Sequence, residues 1–159
     1  MNHVIPPPMQ LHPGRKWGVP SACRSFTGDP TAVRSCREFA TEAIGASRYR
    51  YSDELRENLR LCASELATNA VRHSKSGEAG GVFTVLLHLR PTWIGLALHD
   101  LGPKAGAPSV PRVLLRTLDD PLSASGRGLA MVSLCSHGRY GFMAPPQSSQ
   151  HVAWCELAA

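Results

Sequence analysis

The chain has 159 residues, 43% hydrophobic and 18% charged, a composition that favours one folded domain and excludes a disordered chain. No run approaches the roughly 18 apolar residues needed to span a bilayer, so no membrane role is expected. The formal net charge of +5 suits an acidic protein surface or a polyphosphate; the arginines are too dispersed, without a basic run or aromatic-interleaved patch, to suggest direct nucleic-acid binding.

In chain order, "MNHVIPPPMQLHPGRKWGVPS" lacks the apolar core of a signal peptide and holds too much proline for one helix. Residues 1–20 are therefore expected to form a flexible Pro-rich arm, with a cytoplasmic domain over 21–159. "CRSFTG" reads as a first strand. Asp29-Pro30 offers a capping side chain and a proline at the first helical position, Val33, Cys36, Arg37, Ala40 and Ile44 follow at helical spacing, and Gly45 closes the segment. Ser52, followed by Asp53 and Glu54, opens a second helix with acid in its first turn. "GVFTVLLHLR" and "TWIGLALHD", joined by Pro91, predict paired antiparallel strands. Residues 101–125 read as a long loop, a feature usually functional or mobile in a small domain. "GRGLAMVSLCSHG" predicts a helix between glycines, and "RYGFMA" and "HVAWCEL" two last strands. The order β-α-α-β-β-loop-α-β-β implies an α+β sandwich, its mixed, mostly antiparallel sheet covered by helices on one face. The five cysteines show no CxxC spacing, which speaks against a zinc site or disulfide framework and for reduced, mostly buried thiols.

The second helix carries the informative stretch, "ELATNAVRHS". At about 100° per residue, Leu55, Leu59, Cys62, Leu66 and Ala70 form one stripe facing the sheet. On the same wheel His73 falls inside the stripe, Asn69 at its margin and Glu65 one step further out. Buried without partners, such groups cost about 1–3 kcal/mol each. Either they cap neighbouring backbone or emerge at the domain edge, or the helix lines a polar pocket. Two segments favour the pocket. "HDLGP" ends a strand on Asp100, a carboxylate able to accept from an exocyclic amine, and Gly102 would let a flat ring approach the backbone. "SGRGLAMV" puts Gly126 and Gly128 at a helix N-terminus, where bare N–H groups suit phosphate. Singly each signal is weak; in this order they read as a nucleotide site.

From about Phe26 to Leu157 the sequence resembles the GHKL superfamily of ATP-binding domains, and most closely the small anti-sigma-factor serine kinases of the RsbW type. "ELATNAVRH" resembles the family's N box, "DLGP" its first glycine box and "GRGLAMV" its second. The resemblance implies a Bergerat-type sandwich that binds ATP and Mg²⁺. On matching residues it implies that Glu65 is the general base, Asn69 the Mg²⁺ ligand through the phosphates, and His73 a support of the pocket wall. Asp100 would bind the adenine amine above Gly102; Gly126, Arg127, Gly128 and Leu129 would cradle the phosphates, and 103–125 would be the lid. The implied partners are a sigma factor and an anti-anti-sigma STAS-domain protein, and a homodimer is admitted. Two positions depart from the family pattern. Lys104, a cofactor-binding candidate that could reach a phosphate or else mark a reshaped lid, stands where a second glycine is usual, and Gln150-His151 opens a strand that often begins with a small hydroxyl residue.

Overall fold

The computed structural model describes residues 10–12, 15–106, 127–144 and 149–159. Two short strands, β1 (Gln10–His12) and β2 (Arg15–Lys16), pair with each other. The domain proper runs β3 (Ala22–Thr27), α1 (Thr31–Gly45), α2 (Asp53–His73), a 3-10 turn (Lys75–Gly77), β4 (Val82–Arg90), β5 (Trp93–Asp100), α3 (Arg127–Cys135), β6 (Tyr140–Met143) and β7 (His151–Ala158). The five longer strands form one sheet in the order β3-β4-β5-β7-β6. Every pairing in it is antiparallel, so the expected mixed sheet is antiparallel throughout. The α+β sandwich is as expected. Among the described residues no helix is long and apolar enough to cross a membrane.

Local chemistry accounts for the helix ends. Asp29 accepts from the Thr31 backbone N–H (2.9 Å), which caps α1 one residue further from the helix than expected, with Pro30 at the cap position and Thr31 first in the helix. Gly45 is the last residue of α1, and Ala46 closes it in a right-handed conformation, so no left-handed stop is used. The Ser52 hydroxyl accepts from Leu55 N–H at 3.2 Å, the cap that the sequence announces.

Helix α2 packs against both α1 and α3 and presents Leu55, Leu59, Cys62, Ala63, Leu66, Ala67 and Ala70 to the interior. They meet Val85, Leu87, Ile94, Leu96, Leu98, Cys155 and Leu157 from one face of the sheet. The opposite face carries a smaller core of Leu86, Ala97, Val152 and Trp154 under Trp17. Trp17 lies inside the stretch read as an arm, yet it is only 2% exposed. All five cysteines are free thiols; Cys36, Cys62 and Cys155 are buried and Cys23 is exposed.

Candidate nucleotide site

The end of α2 and the turn after β5 are tied together by backbone. Lys75 N–H donates to Gly102 O (2.8 Å), Lys104 N–H donates to His73 O (3.3 Å), and Ser74 bridges to Pro103. Two serines complete the joint. The buried Ser76 hydroxyl donates to Val82 O (2.6 Å) and accepts from Leu101 N–H (3.0 Å), while the Ser74 hydroxyl donates to Ala70 O (2.7 Å) and accepts from Ser76 N–H (3.1 Å). These serines hold "ELATNAVRH" against "DLGP", and the sequence reading missed them. The available signal was two hydroxyl residues, "SKS", directly after a helix, where they hydrogen-bond local backbone.

The site residues can now be placed. Glu65 and Asn69 are half-buried and one helical turn apart on α2, toward the side that α3 covers. The Glu65 carboxylate reaches the first turn of α3: a Cβ built on Gly128 would lie 2.0 Å from its Oε2. Gly128 is thus a glycine because a carboxylate occupies the space a side chain would need. Burial pushes the Glu65 carboxyl above its ordinary pKa, and Arg72 pulls it partly back. At Asn69 the buried Nδ2 has no hydrogen-bond partner among the described residues. An orphaned buried donor is costly, and such groups mark places where an oxygen-rich ligand or ordered water belongs.

His73 departs from the wheel. Its side chain is exposed, outside the apolar stripe, because α2 ends there and the chain turns away into the 3-10 turn. Its carbonyl, not its imidazole, contacts the next wall of the site. Asp100 ends β5 half-buried, and its Oδ1 accepts from Gly102 N–H at 2.7 Å. Burial raises its pKa, while the Gly102 N–H and the nearby His151 lower it. Gly102 has φ +83°, a left-handed conformation suited to glycine. The side of Gly102 where a Cβ would stand is filled by Ser149 O at 2.6 Å and the His151 ring. This glycine is therefore required by the approach of the chain entering β7, whatever lies on its other side. Lys104 is half-buried, Arg127 exposed and Leu129 buried at the start of α3. Gly126 and the greater part of the 103–125 lid lie outside the described residues.

The β5 turn is thus tied to the C-terminal end of α2, and the α3 start lies against its middle, at Glu65. A separate open cleft of about 450 Å³, between Asp29-Pro30 and the Gly77–Gly81 turn, contains none of these side chains. The profile of the histidine kinase-like ATPase domain matches residues 26–137, from the last residues of β3 to just past the end of α3. The chain belongs to the histidine kinase-like ATPase family. Among the curated proteins compared with it, none matches the chain. Histidine kinase-like ATPase domains of the GHKL type bind ATP, usually with Mg²⁺, so this is an ATP-binding domain of that type.

The residues present fit such a ligand. Asn69 offers a buried amide whose donor is unmet among the described residues, Asp100 commits Oδ1 to the Gly102 N–H, and α3 begins against Glu65, one turn before Asn69. Among the described residues no three His, Cys, Asp or Glu side chains gather into a metal cluster. A cation at the Asn69 amide would therefore draw most of its ligands from phosphate and water oxygens, as Mg²⁺ prefers.

Proposed function

We propose that this domain is an ATP-dependent protein serine kinase that holds a sigma factor and phosphorylates an anti-anti-sigma STAS partner. The observation that carries this reading is Glu65. It stands one turn before Asn69, its carboxylate lies against the first turn of α3 at Gly128, and burial makes it a stronger base than an ordinary carboxylate.

In this reading Asp100 binds the exocyclic amine of the base through Oδ2, because Oδ1 is committed to Gly102. The N–H groups at the start of α3 and the Arg127 side chain face the phosphates. Asn69 would help hold Mg²⁺, which would supply neutralisation of charge on the transferred group. Glu65 orients the serine hydroxyl of the partner and takes its proton as the oxygen bonds to the γ-phosphorus and the bond to the β-phosphate oxygen breaks. The chain's own contribution is positioning and electrostatics, with little covalent chemistry.

A second reading is a nucleotide-gated binding module that holds a regulator without phosphorylating it. Lys104 and the packing of His151 onto Gly102, both departures from the family pattern, favour it.

The test is incubation with labelled ATP, Mg²⁺ and a cognate STAS-domain protein, with calorimetry on the same samples. The kinase reading expects label on a partner serine. It also expects Glu65→Gln to slow transfer by about a hundredfold or more while ATP affinity changes by less than about threefold. Wild-type protein that binds ATP but transfers nothing to the correct partner leaves the binding module standing.

A further inference from the structure

Gly128 is the second residue of α3, a position where alanine would serve a helix better. The left-handed glycines are Gly18, Gly80, Gly102, Gly106 and Gly138, so the backbone at Gly128 does not call for glycine. We propose that Gly128 is a positioning residue, whose missing side chain leaves the seat in which the Glu65 carboxylate is held as the base of phosphoryl transfer. This rests on the kinase reading of Glu65, and it gives the glycine a role toward the base instead of toward the phosphates.

One neighbour alone crowds that position. The nearest atoms to a Cβ placed on Gly128 all belong to Glu65: Oε2 far inside contact distance, then Cδ at 2.9 Å and Cβ at 3.6 Å. A second tie fixes the two helices. Cys135 Sγ donates to Asn58 Oδ1 at 3.5 Å. From Gly128 to Cys135 and from Glu65 to Asn58 the chain runs two turns in opposite directions, so α2 and α3 are antiparallel and pinned at both ends of their contact. A methyl group on residue 128 therefore meets the tip of a flexible carboxylate and no backbone atom. The side chain is what yields, and the helices stay in place.

What the seat does follows from where it holds the carboxylate. Against α3 the Glu65 oxygens lose water, which keeps them basic; Arg72 is the charge that opposes this, and the buried Cys62 thiol lies one turn back on α2. The first turn of α3 is also the helix end whose N–H groups suit phosphate, so the seat keeps the base at the phosphate end of the site. Swung aside by a methyl group, the carboxylate gains water, falls toward its ordinary pKa and loses its fixed direction. Both changes slow proton transfer from a serine hydroxyl.

The experiment takes the full chain as wild type, Gly128→Ala, Glu65→Asp and the double variant, with Glu65→Gln to assign the Glu65 signal. NMR of carboxyl-labelled glutamate follows Glu65 through pH without nucleotide or partner; labelled ATP with Mg²⁺ and the STAS partner measures transfer, and calorimetry measures ATP affinity. Gly128→Ala is expected to melt no lower than wild type and to return the Glu65 titration toward ordinary carboxylate values. Transfer is expected to slow about thirtyfold, at least about tenfold beyond any loss of ATP affinity. In the Glu65→Asp background, whose shorter side chain draws its oxygens away from the new methyl group, the same alanine is expected to cost less than about threefold, a non-additivity that a merely structural glycine would not produce. An unmoved Glu65 titration in Gly128→Ala overturns the proposal, as does a melting temperature well below wild type, which would mean that backbone yields instead of the carboxylate. Transfer that falls only in step with ATP affinity overturns it too and returns Gly128 to the phosphates. The two readings fail differently: a wild type that phosphorylates no partner sinks the kinase reading and this role together, whereas an active wild type matched by Gly128→Ala sinks this role alone.

Discussion

The two faces of the central sheet are both buried, but by different means. Helices α1, α2 and α3 cover the inner face with a continuous apolar core, and the candidate site opens where that core ends, at Asp100 and Asn69. A single tryptophan from the N-terminal stretch dominates the cover of the outer face. Trp17 packs edge-on to His88 (5.1 Å between ring centres) and Trp154 (5.9 Å), and tilted against Trp93 (5.7 Å). Its ring lies over Gly95, where a Cβ would come within 2.7 Å of it. The Arg90 guanidinium clips the strap down by donating to Trp17 O (3.0 Å), Val19 O (2.8 Å) and the Ser21 hydroxyl (3.1 Å). A helix layer covers area by many small contributions, whereas a strap depends on one anchor and its backbone ties. The inner face should therefore set both stability and ligand binding, and the outer face stability alone.

Leu66→Ala breaks the comparison hardest. Leu66 is 1% exposed, follows Glu65 and faces the sheet from the middle of α2, where neighbouring helices leave little room to collapse. A loss of about 3–4 kcal/mol is expected. Because the same turn carries Glu65, ATP binding should weaken in the fraction that stays folded. Denaturant unfolding and calorimetry on one preparation would check both, and a loss below about 1 kcal/mol would show a core looser than the packing indicates.

Trp17→Ala addresses the other face, with an expected cost of about 2–3 kcal/mol. That is less than for a tryptophan in a closed core, because the strap can settle onto the sheet. ATP affinity should change by less than about twofold, since Trp17 and the site residues stand on opposite sides of the sheet. A Trp17→Ala protein that folds but no longer binds ATP would show that the faces are coupled and that the strap is part of the site.

This difference also decides what was legible in the sequence. The inner face was, because helix periodicity, the Ser52 cap and the strand runs are local signals, and "ELATNAVRH", "DLGP" and "GRGLAMV" stand in their family order. Even so, the wheel carried the stripe one residue too far. His73 lies at the last position of α2, and a wheel does not know where a helix stops. The outer face was not legible. "VFTVLLHLR" and "WIGLALHD" alternate poorly because both faces of β4 and β5 are covered, a pattern that says a cover exists without saying what supplies it. Trp17 sits among Gly and Pro in a stretch whose composition argues for an arm, and only its contacts with Gly95 and Arg90, more than 70 residues away in the chain, reveal the strap. The Ser74–Ser76 joint was hidden for a similar reason, since its partners Leu101 and Val82 are set by tertiary structure.

The smallest effect is the most discriminating, because the two faces titrate with opposite sign. Under the strap, burial and then Arg90 push the His88 imidazole down to about 4, while the carbonyls of Trp17 and Val19 oppose them. Burial also lowers His99 on the same face. The unfolded chain, with histidines near 6.5, therefore takes up protons before the folded one. This contribution to stability is complete above that pH and is lost as pH falls toward about 4. On the inner face, burial raises Asp100 and Glu65, so the folded state holds their protons more tightly than the unfolded chain does. Their contribution is greatest below the ordinary carboxylate values and is lost as pH rises through the raised ones, a cost that functional groups commonly impose. Unfolding measured at about pH 5 and about pH 7 should then find wild type weaker at the lower pH, with His88→Gln narrowing that gap. Asp100→Asn should do the reverse, gaining stability at about pH 7 and little at about pH 4, because its amide oxygen still accepts from Gly102 while the buried charge is gone. A gap unchanged by His88→Gln would transfer the acid sensitivity to His99. An Asp100→Asn protein weakened at neutral pH would mean that the carboxylate is held by more favourable contacts than Gly102 and His151 provide.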